Sequence, residues 1–130
     1  MDKDMRILVV DDFATMRRII KNLLTELGFN NLDEADDGKT ALPIMKTGEV
    51  DFLVTDWNMP GMTGLELVKA VRSDPKLRHT PILMVTAEAK KSQIVEAAQA
   101  GINGYVVKPF TSGTLNEKIE RIFARIEQRG

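Results

Sequence analysis

The stretch "ILVVDDF" spans residues 7–13. Four apolar residues run without a polar break, as in a strand buried on both faces of a parallel sheet. Two adjacent carboxylates and an aromatic ring follow at once, with no Lys or Arg inside the stretch. A core strand that delivers two negative charges to its carboxyl end needs a reason, and the reason has to lie elsewhere in the chain.

Similar runs recur as "FLVT" at 52–55, "PILMVT" at 81–86 and "GYVV" at 104–107, with a weaker "NLDEA" at 31–35. Helical patterns alternate with them. Met16, Ile19, Ile20, Leu23, Leu24 and Leu27 keep one face, and Gly28 supplies a stop. Leu65, Val68 and Val71 form a stripe over 63–72, opened by Thr63 and Glu66 at capping-box spacing. Ile94 to Ala98 lead to a C-terminal glycine, Gly101. Leu115, Ile119, Ile122, Phe123 and Ile126 mark a last helix. The helix at 38–47 carries Pro43 beyond the first turn, which predicts a late start or a bend. Five β-α units result. Parallel strands need right-handed crossovers, so the chain is read as one α/β domain over 1–130, a doubly wound (βα)5 fold with helices on both faces of a parallel sheet.

The 130 residues suit one such domain and leave no room for a separate effector domain. Eighteen basic against nineteen acidic residues give no electrostatic case for nucleic-acid or membrane binding. The absence of Cys excludes disulfides, thiolate metal sites and thiol nucleophiles. No segment is long and apolar enough for a signal peptide or a membrane span, so a cytoplasmic location is expected.

In doubly wound sheets ligands bind off the carboxyl ends of the strands. Asp11 and Asp12 end the first strand, Asp56 the third, Thr86 the fourth and Lys108 the fifth. Each has an ordinary explanation alone. Asp12 stands where it can cap the following helix, Asp56 opens the turn-forming "DWNMPG", and Thr86 and Lys108 read as strand and surface residues. Together they put three carboxylates at one edge, which calls for protonation, solvation or a cation. Hard oxygen donors suit Mg²⁺. An Asp carboxylate is a known phosphoryl acceptor, and Lys108 and Thr86 are fit to meet phosphoryl oxygens. A flavin binder is disfavoured, because "DDF" would repel a flavin phosphate. No G-x-x-x-x-G-K-[ST] or G-x-G-x-x-G loop is present. A Mg²⁺-dependent aspartyl phosphatase is the enzymatic rival, but it would be expected to carry D-x-D after the first strand, where this chain has adjacent acids.

"DDFATMRRI", "DWNMP", "MVTAEAKK" and "GYVVKPFT" together resemble the response-regulator receiver domains, from about Met5 to Ile126. The resemblance implies strand order 2-1-3-4-5. It implies that Asp56 accepts a phosphoryl group from a histidine kinase of the chemotaxis type. It implies a Mg²⁺ held by Asp12, Asp56 and the backbone carbonyl of Asn58, with Asp11 acting through water. Lys108 is implied as the phosphoryl-binding lysine, Thr86 as a switch hydroxyl and Tyr105 as its aromatic partner. Tyr105, Lys90, Lys91 and Pro109 fall on the implied partner surface, and the Lys108–Pro109 bond is expected to be cis. The implied partners are the kinase, a flagellar motor switch protein and a phosphatase, with the chain a monomer and a switch rather than a turnover enzyme. A phosphate sink that does not drive the motor is the alternative within the family. Gly61, Thr63 and Pro43 depart from the family pattern without touching the chemistry. His79, the only histidine, is read as a surface residue.

Overall fold

The computed structural model describes residues 2–87 and 90–129, the side chain of Arg129 excepted. Five strands alternate with five helices: β1 (Ile7–Val10), α1 (Ala14–Glu26), β2 (Leu32–Ala35), α2 (Gly38–Lys46), β3 (Phe52–Asp56), α3 (Gly64–Ser73), β4 (Ile82–Thr86), α4 (Lys91–Ala100), β5 (Gly104–Val107) and α5 (Ser112–Arg129). The strands form one sheet in the order β2-β1-β3-β4-β5, all neighbours parallel.

β1, β3 and β4 have no exposed residue. Alternate strand residues feed two cores. Leu8, Val10, Leu53, Ile82 and Met84 join side chains of α2 and α3 on one face. Ile7, Val9, Phe52, Val54 and Leu83 join α1 and α5 on the other. Burial on both sides explains the unbroken apolar runs. β2 is one of the two edge strands, and it reads weakly because two of its four residues are acidic. Its Glu34 takes Arg17 and Lys21 of α1, and its Asp33 takes Arg6.

α2 does not start late. It begins at Gly38, because Asp37 accepts a hydrogen bond from the Thr40 N–H at 2.7 Å and closes the first turn. Pro43 lies within the helix on its exposed side. α3 opens with the expected capping box between Thr63 and Glu66. α4 ends at Gly101, whose φ of 110° is the left-handed conformation that glycine tolerates. No helix among the described residues is long and apolar enough to cross a membrane.

Candidate functional site at the carboxyl ends of the strands

Parallel pairing brings the five residues named at strand ends to one edge. The ladder extends just past each strand: the Asp11 N–H reaches the Ala35 carbonyl, the Trp57 N–H reaches Val85, and the Lys108 N–H reaches Thr86. Asp11, Asp12 and Asp56 each place a carboxylate oxygen within 4.8 Å of the others. Asp11 and Asp56 are buried, whereas Asp12 is exposed, so the cluster opens to solvent on the Asp12 side. The Lys108 ammonium sits 3.2 Å from Asp11 Oδ2 and 3.2 Å from Asp56 Oδ1.

One ammonium does not balance three carboxylates. Burial raises the Asp56 carboxyl above its usual pKa, and the neighbouring Asp11 charge raises it further, against the opposing pull of Lys108. The edge is an electrostatically costly arrangement that a cation relieves. Opposite oxygen ligands of a Mg²⁺-sized ion stand about 4.2 Å apart, so oxygens gathered this closely already approach one coordination sphere. The donor set is hard, all oxygen and open to water, and it fits a hard divalent metal ion.

The first turn after β1 differs from a simple helix cap. α1 has Phe13 at its N-cap and no side-chain cap. It is Asp11, not Asp12, that accepts a local backbone bond, from the Phe13 N–H at 2.9 Å. This Asx turn holds Asp11 while leaving Asp12 uncommitted to the helix. The Arg17 guanidinium donates to the Asp11 carbonyl at 2.7 Å and ties α1 to the same turn.

Thr86 is buried at the end of β4. Met84 pairs with Tyr105 and Thr86 with Val107, so Thr86 and Tyr105 lie on the same face of the sheet, one register step apart. Tyr105 is half-buried against the α2–α3 core, and the Lys118 ammonium lies 5.5 Å from its ring centroid. Lys90 and Lys91 are exposed at the start of α4, and Pro109 is exposed after a cis Lys108–Pro109 bond. Asn58 is exposed in the loop after β3. Glu88 and Ala89, within the motif "MVTAEAKK", lie outside the described residues.

One positioning residue escapes sequence reasoning. A Cβ on Gly64 would stand 2.0 Å from the Asp56 carbonyl oxygen and 3.0 Å from Trp57 Cα. The Gly64 N–H donates to the Trp57 carbonyl at 2.8 Å. The end of β3 at Asp56 and Trp57 therefore packs directly against the first residue of α3, and only a glycine allows that approach. The glycine is visible in the sequence; what it approaches is not.

The fold and this edge define a receiver. The response regulator receiver domain family model matches residues 7–120, and the chain belongs to that family. The chain is 70% identical over 122 residues to the chemotaxis protein CheY of Pseudomonas aeruginosa, covering 94% of this chain and 98% of that protein. It is 65% identical over 126 residues to the chemotaxis protein CheY-3 of Vibrio cholerae, covering 97% of each. Among solved structures, the receiver domain of a sensor histidine kinase of Pseudomonas aeruginosa PAO1 superposes with a TM-score of 0.83 at 26% identity, covering 93% of this chain and 98% of that one. That structure has a magnesium ion coordinated in its active site cleft.

Proposed function

We propose that the chain is a chemotaxis response regulator that takes a phosphoryl group onto Asp56 and signals by binding a partner. The observation that carries this reading is the seating of the Lys108 ammonium 3.2 Å from Asp56 Oδ1 within a cluster of three carboxylates. The identity of 65–70% to chemotaxis proteins supports the chemotactic setting.

In the proposed reaction an Asp56 carboxylate oxygen attacks the phosphorus of a phosphohistidine on the kinase. A P–O bond forms as the P–N bond breaks, and the electron pair stays with the imidazole. Lys108 moves with the developing charge, since its ammonium is a mobile point donor already beside Asp56. Asp12, Asp56 and the Asn58 carbonyl would hold Mg²⁺, with Asp11 acting through water. When bound, the ion would neutralise charge on the phosphoryl oxygens. The magnesium in the related kinase receiver supports this assignment.

The output is a population shift. A phosphoryl group on Asp56 offers Thr86 and Lys108 new acceptors, and only the arrangement that reaches them gains their contacts. Thr86 and Tyr105 share a face, and in the proposed switch the ring turns inward when the threonine moves toward the phosphoryl group. The surface that responds carries Lys90, Lys91, Tyr105 and Pro109 and would meet a flagellar motor switch protein. The chain acts as a cytoplasmic monomeric switch, with turnover limited to its own loading and unloading, the latter open to help from a phosphatase. The adjacent acids after β1, with the third on another strand, favour this over an aspartyl phosphatase.

The test is binding of the purified chain to immobilised motor switch protein, with and without a small-molecule phosphodonor and Mg²⁺. Phosphodonor-dependent capture that Asp56→Asn abolishes supports the reading. Loading without a gain in capture supports a phosphate sink instead.

A further inference from the structure

At the opposite end of the sheet lies a cavity of about 550 Å³ that the proposed chemistry does not use. It lies where β4 and β5 begin, about 13 Å from Thr86 along β4, for four residues at about 3.3 Å each. Arg72, Arg78, His79 and Arg125 border it, and among the described residues no Asp or Glu does. In a chain of net charge −1, three guanidinium groups around one hollow without a carboxylate form a local excess of positive charge.

The three arginines differ in role. Arg72 is a built part of the wall. Its Nε and Nη2 donate to the Gly101 carbonyl at 3.0 and 2.8 Å, Nη1 to the carbonyls of Arg78 and Thr80 at 3.0 and 2.7 Å, and Nη2 to Asn103 Oδ1 at 3.0 Å. All five of its N–H bonds are used on neutral oxygens, so its charge is fixed in place and left uncancelled. Burial lowers its pKa, with no carboxylate acting against that. Arg78 and Arg125 are exposed, and neither side chain makes a hydrogen bond or ion pair among the described residues. Two free planar forks facing one hollow suit bidentate binding of phosphate oxygens. Ile102, Ile122 and Ile126 supply an apolar wall beside them. The volume lies within the ~300–1,000 Å³ of small-molecule sites.

We propose that this cavity is a second ligand site, separate from the acidic edge, which takes a phosphorylated small molecule of nucleotide size. Arg78 and Arg125 grip its phosphates over the fixed charge of Arg72, and its ring lies on the isoleucine wall.

The test is an NMR titration of the ¹⁵N-labelled full chain in EDTA, with ATP, pyrophosphate and adenosine as probes. Saturable shifts with ATP and pyrophosphate at Arg78, His79, Gly101 and Arg125 are expected, with ATP the tighter. Arg78→Gln with Arg125→Gln should weaken ATP at least about tenfold, the scale of losing one charge-assisted contact. Arg78→Lys, which keeps the charge and loses the fork, should fall between. Asp56→Asn should bind ATP as the parent does, whether or not Asp56 is a phosphoryl acceptor. Adenosine binding as tightly as ATP, shifts that never saturate, an unchanged double variant, or loss of binding in Asp56→Asn would each overturn the proposal.

Discussion

Gly64→Ala should damage the receiver more than any other glycine-to-alanine change at a turn. The new Cβ would meet the Asp56 carbonyl oxygen at 2.0 Å. A relaxed C···O contact is about 3.3 Å, so the two segments must part by about 1.3 Å. The atoms in the way belong to the backbone, which has no rotamer to change. Separation also breaks the 2.8 Å bond from the Gly64 N–H to the Trp57 carbonyl and disturbs the Thr63 capping box behind it. Overpacking costs about 1–3 kcal/mol and a lost backbone bond about 1 kcal/mol, so a total of about 2–4 kcal/mol is expected. With a urea slope of about 2 kcal/mol per M, the middle of the usual range, the unfolding midpoint should fall by about 1–2 M. Trp57 is buried next to the site and is the only tryptophan, so its fluorescence reads both unfolding and the local change. Gly48→Ala is the control. Gly48 has φ of 77°, but its Cβ would meet only Lys76 Cε at 4.0 Å, so it carries conformational strain of about 1–2 kcal/mol and no clash. If Gly64→Ala unfolds at the parent's midpoint, or later than Gly48→Ala, the close approach does not hold that loop and the reasoning fails.

Three further outcomes follow from the site and its scaffold. In EDTA, Asp56→Asn should be more stable than the parent at neutral pH. Burial raises the Asp56 pKa in the folded chain, so the parent loses stability as pH rises from the ordinary aspartate value through the raised one, and a variant without that loss on thermal scans across this window is expected. Lys108→Ala should tighten Mg²⁺ binding several-fold while slowing phosphoryl loading, since a cation beside the carboxylates is worth on the order of 1 kcal/mol in a partly solvated site; Trp57 fluorescence titration showing weaker Mg²⁺ binding would contradict it. Arg72→Lys should cost about 2–3 kcal/mol in urea unfolding, because an ammonium cannot serve the Gly101, Arg78 and Thr80 carbonyls together, and an unchanged midpoint would show those bonds to be idle.

The strands that were plain in the sequence are the ones buried on both faces. "ILVV" matches β1 residue for residue, because every position in such a run answers to the same demand for apolar contact, and "GYVV" matches β5, an edge strand that is only partly buried, through its apolar β-branched pair Val106 and Val107. β2 is weaker for a physical reason: Asp33 and Glu34 are held by ion pairs to Arg6, Arg17 and Lys21, and such pairing over a distance leaves no local pattern. At α2 the proline was visible and its penalty real, but the Asp37 cap three residues before Thr40 outweighs it at the start of the helix. The acidic edge was legible because the strand-end rule collects residues from four strands without needing side-chain geometry. Gly64 and Arg72 were not legible, since their work is done on backbone carbonyls that no residue letter records.

Asp56 alone is expected to take the phosphoryl group, with Mg²⁺ required. The measurement is intact mass after incubation with acetyl phosphate, on the parent chain with Mg²⁺, the parent chain in EDTA, and Asp56→Asn with Mg²⁺. A gain of one phosphoryl group in the first sample and none in the other two is the predicted result. An equal gain in Asp56→Asn, or no gain in the parent with Mg²⁺, would contradict it.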